Sequence, residues 1–427
     1  MAVDTPARLA ILGAGPIGLE AALYARYLGY DVDVYDRRGV AAHVLQWGHV
    51  PMFSPFGMNR SPLGLAALNA QDEHYVPPGD DQLLTGRQWA ERYLLPLAHS
   101  DLLSDSLRLG AEVLGVSRRG LLKGDAPGQA ERGESEFLLL VREEGVERYE
   151  SAEVVIDATG TLSQPGGLGP GGLAAVGESA VRGDIDWVCP DVRGADRQRF
   201  AGRRTLVVGS GYSAATTVVA LAALADDAPD TRVTWVTRRG PGAAQSAPVR
   251  RIADDRLAAR DQLAAAANEL ATAADARITW LPGGIVQSIE RGESGRYTVR
   301  IGVKDADAGV QHEDYQFDRI VGHVGYRPDD RLFRELQVHQ CYATEGPIKL
   351  AAALLQQASG DCLDAVAPGP RALLQVEPNF YILGAKSYGR RSDFLFATGL
   401  EQIRELFTIL GDRESLDLYA SMKNLPS

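Results

Sequence analysis

Cysteine is scarce in this sequence, which contains three in 427 residues: Cys189, Cys341 and Cys362. No two of them form a C-x-x-C pair, which excludes a zinc knuckle and an adjacent redox pair. Thiols this few do not build a disulfide scaffold, so we expect a reducing, cytoplasmic compartment.

Basic residues are also fewer than acidic ones. The sequence contains 44 Lys and Arg and 56 Asp and Glu, which gives a formal net charge of −12. Nucleic-acid binding needs clustered basic side chains, and binding to an anionic membrane needs a polybasic segment. The most apolar run, from Ala214 to Ala225, is interrupted by Thr216 and Thr217 and is too short to span a bilayer. We therefore predict neither a nucleic-acid nor a membrane partner.

A strand, a glycine-rich turn and a helix open the sequence. Residues 8–12 predict a buried strand, and Gly13 to Gly18 form a G-x-G-x-x-G turn that leads into a predicted helix. The first glycine permits the tight turn, the second lets the backbone approach a pyrophosphate, and the third lets helix and strand pack closely. A second predicted strand ends at Asp36, which would bind the hydroxyls of an adenosine ribose. Together these features predict a dinucleotide-binding site at the helix N-terminus.

The same order of elements recurs later in the chain. Residues 205–208 predict a strand, and Gly209 to Ala214 form a G-x-G-x-x-A turn before another predicted helix. The strand that follows ends in Thr237-Arg238-Arg239 rather than in an acidic residue. An arginine at this place suits a ribose 2′-phosphate, so we predict NADPH as the preferred coenzyme. The alternative is that Arg238 and Arg239 are solvated on a surface loop.

These motifs resemble those of the two-dinucleotide-binding-domain flavoproteins, which include thioredoxin-reductase-like enzymes and flavin monooxygenases. The resemblance also rests on Asp157-Ala158-Thr159-Gly160 and on Gly325-Tyr326-Arg327-Pro328-Asp329. It implies FAD in the first domain, NAD(P)H in an inserted second domain, and hydride transfer from the nicotinamide to the flavin. It further implies that the Ala-Thr-Gly turn passes close to FAD and that the chain returns to the flavin at Gly384.

One position departs from that group near Gly384. Many members have an aspartate directly after this glycine, whereas this sequence has Ala385. Lys386 or Ser387 is the candidate to replace the missing contact.

Length and repetition together predict an α/β protein. A chain of 427 residues exceeds one ordinary core and suggests two or three domains. We predict two Rossmann-like, three-layer β-β-α dinucleotide-binding domains, with the NADP domain inserted into the FAD domain. The predicted bounds are 1–165 and 327–427 for the FAD domain and 198–326 for the NADPH domain. The glycine-rich residues 161–183 are interpreted as a linker, and hinges are expected near 161–199 and 326–332.

The predicted cofactor contacts follow from the motifs and the resemblance, while no catalytic side chain and no metal ligand is assigned. In the FAD domain they are Gly13, Gly15, Pro16, Ile17, Gly18, Asp36, Arg37, Gln46, Trp47, Ala158, Thr159, Gly160, Gly384, Lys386 and Ser387. In the NADPH domain they are Gly209, Gly211, Tyr212, Ser213, Ala214, Arg238 and Arg239.

The destination of the electron pair stays open at the level of sequence. Disulfide reduction normally requires a cysteine pair beside the flavin, and Pro16 and Ile17 stand in the first turn without a thiol. Cys189 is either a lone redox thiol or a small packed residue. Monooxygenation of a small molecule is the leading expectation, and Trp47 is either a neighbour of the flavin or a core residue.

One departure counts against oxygenation. The monooxygenase signature F-x-G-x-x-x-H begins at Phe200-Ala201-Gly202, but Leu206 stands at the histidine position. One alternative is an NADPH-dependent flavin reductase or dehydrogenase with a non-oxygen acceptor. Another is a flavin-bound redox sensor whose oxidised and reduced states bind a partner differently.

Overall fold

The chain forms two compact units, and one of them is inserted into the other. The computed structural model describes residues 3–239, 247–273, 277–305, 309–357, 363 and 368–423, so Cys362 lies outside the described residues. Unit 1 contains residues 1–164 and 326–427, and unit 2 contains residues 165–325. Because the chain leaves unit 1 and returns to it, unit 1 is discontinuous in sequence.

A parallel sheet forms the centre of unit 1. Its strands are β1 (Arg8–Leu12), β2 (Asp31–Asp36), β3 (Leu107–Leu109), β7 (Val154–Asp157) and β15 (Phe380–Ile382). They pair in parallel in the order β15-β7-β1-β2-β3. The apolar strands β1 and β7 are buried on both faces, as expected of inner strands in a parallel sheet. The loops that follow β1, β2, β7 and β15 therefore lie together at the carboxyl edge of the sheet.

Two different layers cover this sheet. Leu9 and Ile11 of β1 pack into a core with the helices, whereas Ala10 and Leu12 pack on the other face against an antiparallel sheet. That sheet contains β4 (Glu112–Arg118), β5 (Phe137–Glu143) and β6 (Val146–Ala152). The helices of unit 1 are α1 (Pro16–Tyr27), α2 (Ala42–Gln46), α3 (Pro62–Gln71), α4 (Gly86–Trp89), α5 (Leu95–Ala98), α6 (Ala130–Glu134), α11 (Ile348–Gln356), α12 (Phe396–Leu410) and α13 (Leu418–Lys423).

Unit 2 has the same three layers. Its parallel sheet contains β8 (Arg204–Val208), β9 (Arg232–Thr237), β10 (Ile278–Pro282) and β14 (Arg319–Gly322), in the order β10-β9-β8-β14. Its antiparallel sheet contains β11 (Gly284–Arg291), β12 (Tyr297–Asp305) and β13 (Gly309–Phe317). Its helices are α7 (Glu178–Val181), α8 (Arg197–Phe200), α9 (Tyr212–Asp227) and α10 (Ala258–Thr272). Val207 packs towards α9 and α10, and its neighbours in β8 pack towards the antiparallel sheet.

The architecture confirms the predicted α/β class with two Rossmann-like, three-layer β-β-α units, one inserted into the other. A helix long and apolar enough to cross a membrane is absent from the described residues.

The glycine-rich segment 161–183 is folded, so its interpretation as a linker was wrong. The buried carboxylate of Glu178 accepts hydrogen bonds from the amides of Leu168 and Ala175, both at 2.9 Å, and closes the loop between them. Val176 then exchanges backbone hydrogen bonds with β11 of unit 2. A Cβ on Gly167 would lie 2.2 Å from the carbonyl oxygen of Leu173, and one on Gly169 would lie 2.8 Å from the amide nitrogen of Ala175, so close packing explains these two glycines.

A buried ionic network ties distant segments of unit 1 together. Glu377 bonds Arg118 at 2.8 Å and Arg132 at 2.8 Å, and all three side chains are almost completely buried. The backbone amide of Gln337 also donates to Glu377, at 2.7 Å. This network holds the segment that leads into β15 against the β4-β5-β6 layer.

Candidate functional site

The first glycine turn, Gly13 to Gly18, joins β1 to α1 in unit 1. Gly13 has φ 103°, and a Cβ on it would lie 2.8 Å from the carbonyl oxygen of Ala158. A Cβ on Gly18 would overlap the carbonyl oxygen of Gly13, which is why strand and helix can pack so closely here. Gly15 differs, because nothing lies within 4 Å of the place its Cβ would take. That open side faces the carboxyl edge of the sheet.

The N-terminus of α1 offers unpaired donors to this space. The first hydrogen bond of the helix runs from the Leu19 amide to the Gly15 carbonyl, at 2.9 Å. The amides of Gly15, Ile17 and Gly18 have no acceptor among the described residues, and Pro16 lacks an amide hydrogen. Free N–H groups and the positive end of the helix dipole favour an anion such as a pyrophosphate.

Asp36 ends β2 beside this turn, as the fingerprint predicts. Its Oδ2 accepts from the Ala14 amide at 2.9 Å, and its Oδ1 accepts from the amides of Arg38 and Gly39 at 2.8 and 3.0 Å. A carboxylate oxygen can accept more than one hydrogen bond, so Asp36 keeps capacity for ribose hydroxyls. The guanidinium of Arg37 lies 3.5 Å from the Glu112 carboxylate, and a contact of Arg37 with a cofactor stays a prediction.

The turn after β7 and the loop after β15 lie at the same edge. Ala158, Thr159 and Gly160 follow Asp157 and are half-buried. Asp157 is completely buried and pairs with Lys386 at 2.5 Å. The ammonium of Lys386 is therefore bound to this turn rather than exposed at the surface.

Gly384 opens the loop after β15 in a conformation that favours glycine, with φ 72°. Its amide donates to Gln402 Oε1 at 2.9 Å, and Gln402 Nε2 donates to Ser387 Oγ at 2.9 Å. Ser387 Oγ in turn donates to the Gly384 carbonyl at 2.7 Å. Gln402 of α12 thus closes a buried hydrogen-bonded ring. Its role could not be predicted from the sequence, because an isolated glutamine in an amphipathic helix resembles any surface residue.

Gln46 and Trp47 lie at the end of α2. Gln46 is exposed, and Trp47 is half-buried with its ring packed over Gly86, where a Cβ would lie 2.6 Å from the ring. Trp47 thus belongs in part to the core of unit 1. Contact of Gln46 or Trp47 with a flavin stays a prediction.

The second glycine turn in unit 2 repeats the backbone contacts of the first. The Gly209 amide donates to Val236 at 3.0 Å, as the Gly13 amide donates to Tyr35 at 2.8 Å. A Cβ on Gly209, which has φ 133°, would overlap the carbonyl oxygen of His323. Nothing lies within 4 Å of a Cβ on Gly211. The first turn of α9 then supplies the remaining predicted contacts, Tyr212, Ser213 and Ala214.

This repetition shows which residues take equivalent places. Val236 corresponds to Tyr35, so Thr237 stands where Asp36 stands in unit 1. Thr237 Oγ1 accepts from Trp280 Nε1 at 2.9 Å and donates to the Arg239 carbonyl at 3.0 Å. Its hydroxyl is therefore engaged within the protein, and no carboxylate is present at this strand end.

Arg238 and Arg239 follow directly and are exposed. Neither forms an ion pair with another side chain in the described part of the chain. Two unneutralised guanidinium groups at this strand end suit a phosphate ester, which they can bind by charge-assisted hydrogen bonds.

Behind this second turn, His323 is half-buried and contacts a neutral hydroxyl group. His323 Nε2 lies 2.8 Å from Thr217 Oγ1, and burial lowers the pKa of His323 to about 4. The imidazole is therefore uncharged at neutral pH. Cys189 Sγ lies 3.6 Å from the Ser213 carbonyl, and burial raises the pKa of this thiol. Sequence reasoning missed Thr217 and His323, because only the fold brings them together.

No group of three or more metal-ligating side chains occurs among the residues that the structure describes. In unit 1, the fold brings together the loop at Gly13–Gly18, Asp36, the 158–160 turn and the loop that begins at Gly384. In unit 2, it brings together the second glycine turn and the two arginines.

No protein-family model and no curated protein sequence matches this chain. Solved structures do match over nearly its whole length. Bacillithiol disulfide reductase Bdr from Bacillus cereus is 15% identical with a TM-score of 0.64, and the match covers 96% of this chain and 99% of that one. Thioredoxin reductase from T. acidophilum is 16% identical with a TM-score of 0.57, covering 94% and 97%. Ornithine N-hydroxylase from Kutzneria sp. 744, whose structure contains reduced FAD, NADP⁺ and L-ornithine, is 17% identical with a TM-score of 0.58, covering 96% and 100%.

This chain has the two-dinucleotide-binding-domain flavoprotein fold. The resemblance predicted from the glycine turns is thereby confirmed at the level of fold. Reductases and an N-hydroxylase share that fold, so the fold does not select between them.

Proposed function

We propose that this protein is an FAD-dependent, NADPH-using oxidoreductase. The observation that carries the proposal is the duplicated turn: Gly13 and Gly209 make equivalent backbone contacts, but Asp36 follows one and Thr237-Arg238-Arg239 the other. We call Gly13–Gly18 with Asp36 the first cradle, and Gly209–Ala214 with Arg238 and Arg239 the second cradle. Because the two cradles carry opposite charge at the strand end, they suit two different dinucleotides.

FAD fits the first cradle. Open space at Gly15 and the free amides of α1 suit its pyrophosphate, and Asp36 suits its adenosine ribose. The 158–160 turn and the Gly384 loop would flank the rest of the cofactor. When bound, FAD supplies the redox chemistry that accepts a hydride from the nicotinamide.

NADPH fits the second cradle. The turn from Gly209 to Ala214 would hold the pyrophosphate, and Arg238 and Arg239 would bind the 2′-phosphate. The ornithine N-hydroxylase that shares the fold contains the same pair of coenzymes, reduced FAD and NADP⁺.

For the acceptor, we propose oxygen in the monooxygenation of a small molecule. In this reaction NADPH, a proton, O₂ and the substrate give NADP⁺, water and the oxygenated product. The absence of a C-x-x-C pair supports it, as does the neutral state of Cys189, since a thiolate is the reactive form in disulfide chemistry. The fold shared with an N-hydroxylase adds a precedent for small amine substrates.

A second candidate is an NADPH-dependent reductase with a non-oxygen acceptor. Its support is the similarity in fold to bacillithiol disulfide reductase Bdr, with a TM-score of 0.64. In that reaction the electron pair of NADPH would pass to the acceptor and no oxygen atom would enter a product.

The experiment is an anaerobic NADPH titration of the purified yellow protein, followed by exposure to ¹⁸O₂ with a panel of small amines and thioethers. We expect NADPH to bleach the flavin and one ¹⁸O atom to enter a product. NADPH oxidation with no labelled product would favour the reductase. A flavin that stays oxidised in excess NADPH would favour a redox sensor, and a protein that binds no FAD would refute the proposal.

A further inference from the structure

A buried ion pair joins the carboxyl ends of β7 and β15 in unit 1. Lys386 Nζ lies 2.5 Å from Asp157 Oδ2, and the two side chains are 1% and 0% exposed. Burying two charges costs several kcal/mol per ion in lost hydration, so such a pair is weak evidence for a gain in stability. Its presence at this edge of the sheet therefore needs another explanation.

The hydrogen bonds around Asp157 show what the pair positions. Asp157 Oδ1 accepts from the amide of Thr159 at 3.1 Å and from its hydroxyl at 2.7 Å. Lys386 Nζ also donates to Thr159 Oγ1, at 3.0 Å. Lys386 and Asp157 thus hold Thr159 from two sides and fix the course of the 158–160 turn.

That turn forms one wall of the first cradle. The Ala158 carbonyl lies against Gly13, where a Cβ would be only 2.8 Å from the oxygen. A shift of the turn by a few tenths of an ångström would therefore change the space beside the glycine turn.

The charge around Lys386 is also informative. Asp329 is a second carboxylate within its field: the pKa of Asp329 is lowered to about 2, chiefly by its hydrogen bond with Arg331 and to a smaller extent by Lys386. The ring of Phe333 covers the ammonium at 5.3 Å from its centroid. Removal of Lys386 would leave the buried Asp157 without its cation.

We propose that Lys386 is a positioning residue for the FAD of the proposed function. Through Asp157 and Thr159 it holds the 158–160 turn against the glycine turn, and its charge balances the Asp157 carboxylate beside the cofactor. This inference rests on the proposed function, since it requires FAD in the first cradle. It also gives Lys386 an indirect role in place of a direct contact with the cofactor.

The test uses the full-length protein, deflavinated and then reconstituted, with the variants Lys386→Met, Asp157→Asn and the double substitution. We expect Lys386→Met to weaken FAD binding by about tenfold or more and to lower the flavin midpoint potential, because an unbalanced carboxylate disfavours added electrons. Asp157→Asn leaves an unbalanced ammonium and should raise the potential. The double variant should return close to the wild-type potential. A tenfold change in the affinity ratio of reduced to oxidised FAD equals about 30 mV for a two-electron couple.

Arg132→Met is the matched control, because it breaks a buried ion pair in the same unit at the Glu377 network. It should lower the unfolding midpoint without changing FAD affinity or potential. The inference is overturned if this control loses FAD as Lys386→Met does. It is equally overturned if the two single variants shift the potential in the same direction or not at all.

Thr159 provides a variant without a change of charge, in case Lys386→Met does not fold. Thr159→Val removes the hydroxyl that joins Lys386 to Asp157, and Thr159→Ser keeps it. The valine variant loses two hydrogen bonds of this hydroxyl, one donated to Asp157 and one accepted from Lys386. We expect it to bind FAD at least about fivefold more weakly, and the serine variant to bind within about twofold of wild type. Equal affinities would overturn the inference. Wild-type protein that binds no FAD would instead end the proposed function itself.

Discussion

The carbonyl oxygen of Ala158 occupies the space that a side chain on Gly13 would need. The two residues belong to loops after neighbouring strands, β7 and β1, and a Cβ on Gly13 would lie 2.8 Å from that oxygen. Gly13 also has φ 103°, a conformation that L-residues rarely adopt. Both facts make this glycine a requirement of the cradle.

Gly13→Ala should therefore lower flavin content. The strained backbone costs about 1–3 kcal/mol, and relief of the overlap would push the Ala158 turn away from the glycine turn. The measurement is the ratio of flavin to protein absorbance after purification, together with FAD affinity of the deflavinated protein. Gly115→Ala in β4 is the control, since nothing lies within 4 Å of its Cβ. Equal flavin content in the two variants would contradict the prediction.

Arg238→Ala should narrow the preference for NADPH over NADH. A charge-assisted hydrogen bond to the 2′-phosphate contributes about 1.5–3 kcal/mol, which corresponds to roughly a ten- to a hundred-fold change in preference. The ratio of kcat/KM for the two coenzymes measures it, with Arg291→Ala in β11 as a surface control in unit 2. Unmodified protein that uses both coenzymes equally well would refute the assignment.

Glu20 should make stability depend on pH. Glu20 lies in α1 and is completely buried. Among the described residues, neither of its carboxyl oxygens has a hydrogen-bond partner at ordinary distance. The hydroxyls of Ser61, Tyr93 and Tyr419 face the carboxyl group. Burial raises the pKa of Glu20 from 4.5 to about 7. Between pH 4.5 and pH 7, the folded state therefore keeps a proton on Glu20 that the unfolded state has lost. The free energy of unfolding should fall as the pH rises from about 4.5 to about 7.

Glu20→Gln tests this directly by urea unfolding at pH 5 and pH 8. At about 1.4 kcal/mol per pKa unit, Glu20 accounts for a fall of about 3 kcal/mol between the two conditions, and the variant should lose most of that fall. Exposed Glu401→Gln serves as the control and should keep the wild-type pH dependence. If Glu20→Gln retains the full fall, the carboxyl group is not the one that titrates.

Cys189 should alkylate slowly at neutral pH. Burial raises the pKa of its thiol above the usual 9.0, and only the thiolate reacts with iodoacetamide. Peptide mass spectrometry over pH 7 to 10 should show labelling at Cys189 rising only at the upper end, and Cys189→Ser should leave NADPH oxidation unchanged. Rapid labelling at pH 7 would restore the alternative of a redox thiol.

Local signals in the sequence predicted much of this fold. The glycine turns, the apolar strands and Asp36 are close together in the chain, so their spacing alone predicted the elements and their order. The sequence also shows that an acidic residue, Asp36, ends β2 and that a basic residue, Arg238, follows β9, and this difference in charge predicted two different dinucleotides. Each of these features depends on neighbours within one β-turn-α-β unit.

The features that sequence reasoning missed depend on contacts between distant segments. Lys386 meets Asp157, and Gln402 meets Gly384, only after β15 has paired with β7. The prediction of a linker at 161–183 rested on its glycines, whereas the Glu178 carboxylate accepts hydrogen bonds from the amides of Leu168 and Ala175 and so closes a folded loop. A local sequence pattern does not show which backbone amides will donate hydrogen bonds to a given carboxylate, because that depends on how the loop folds.

Thr237 also bears on any attempt to redesign the coenzyme choice. Its hydroxyl satisfies the indole of Trp280 on β10 and bonds the carbonyl of Arg239, so it helps to shape the strand end itself. An aspartate introduced there would face that carbonyl with a like partial charge instead of donating to it. A change of coenzyme preference from NADPH to NADH would therefore require a new conformation of the loop after β9, in addition to replacement of Arg238 and Arg239.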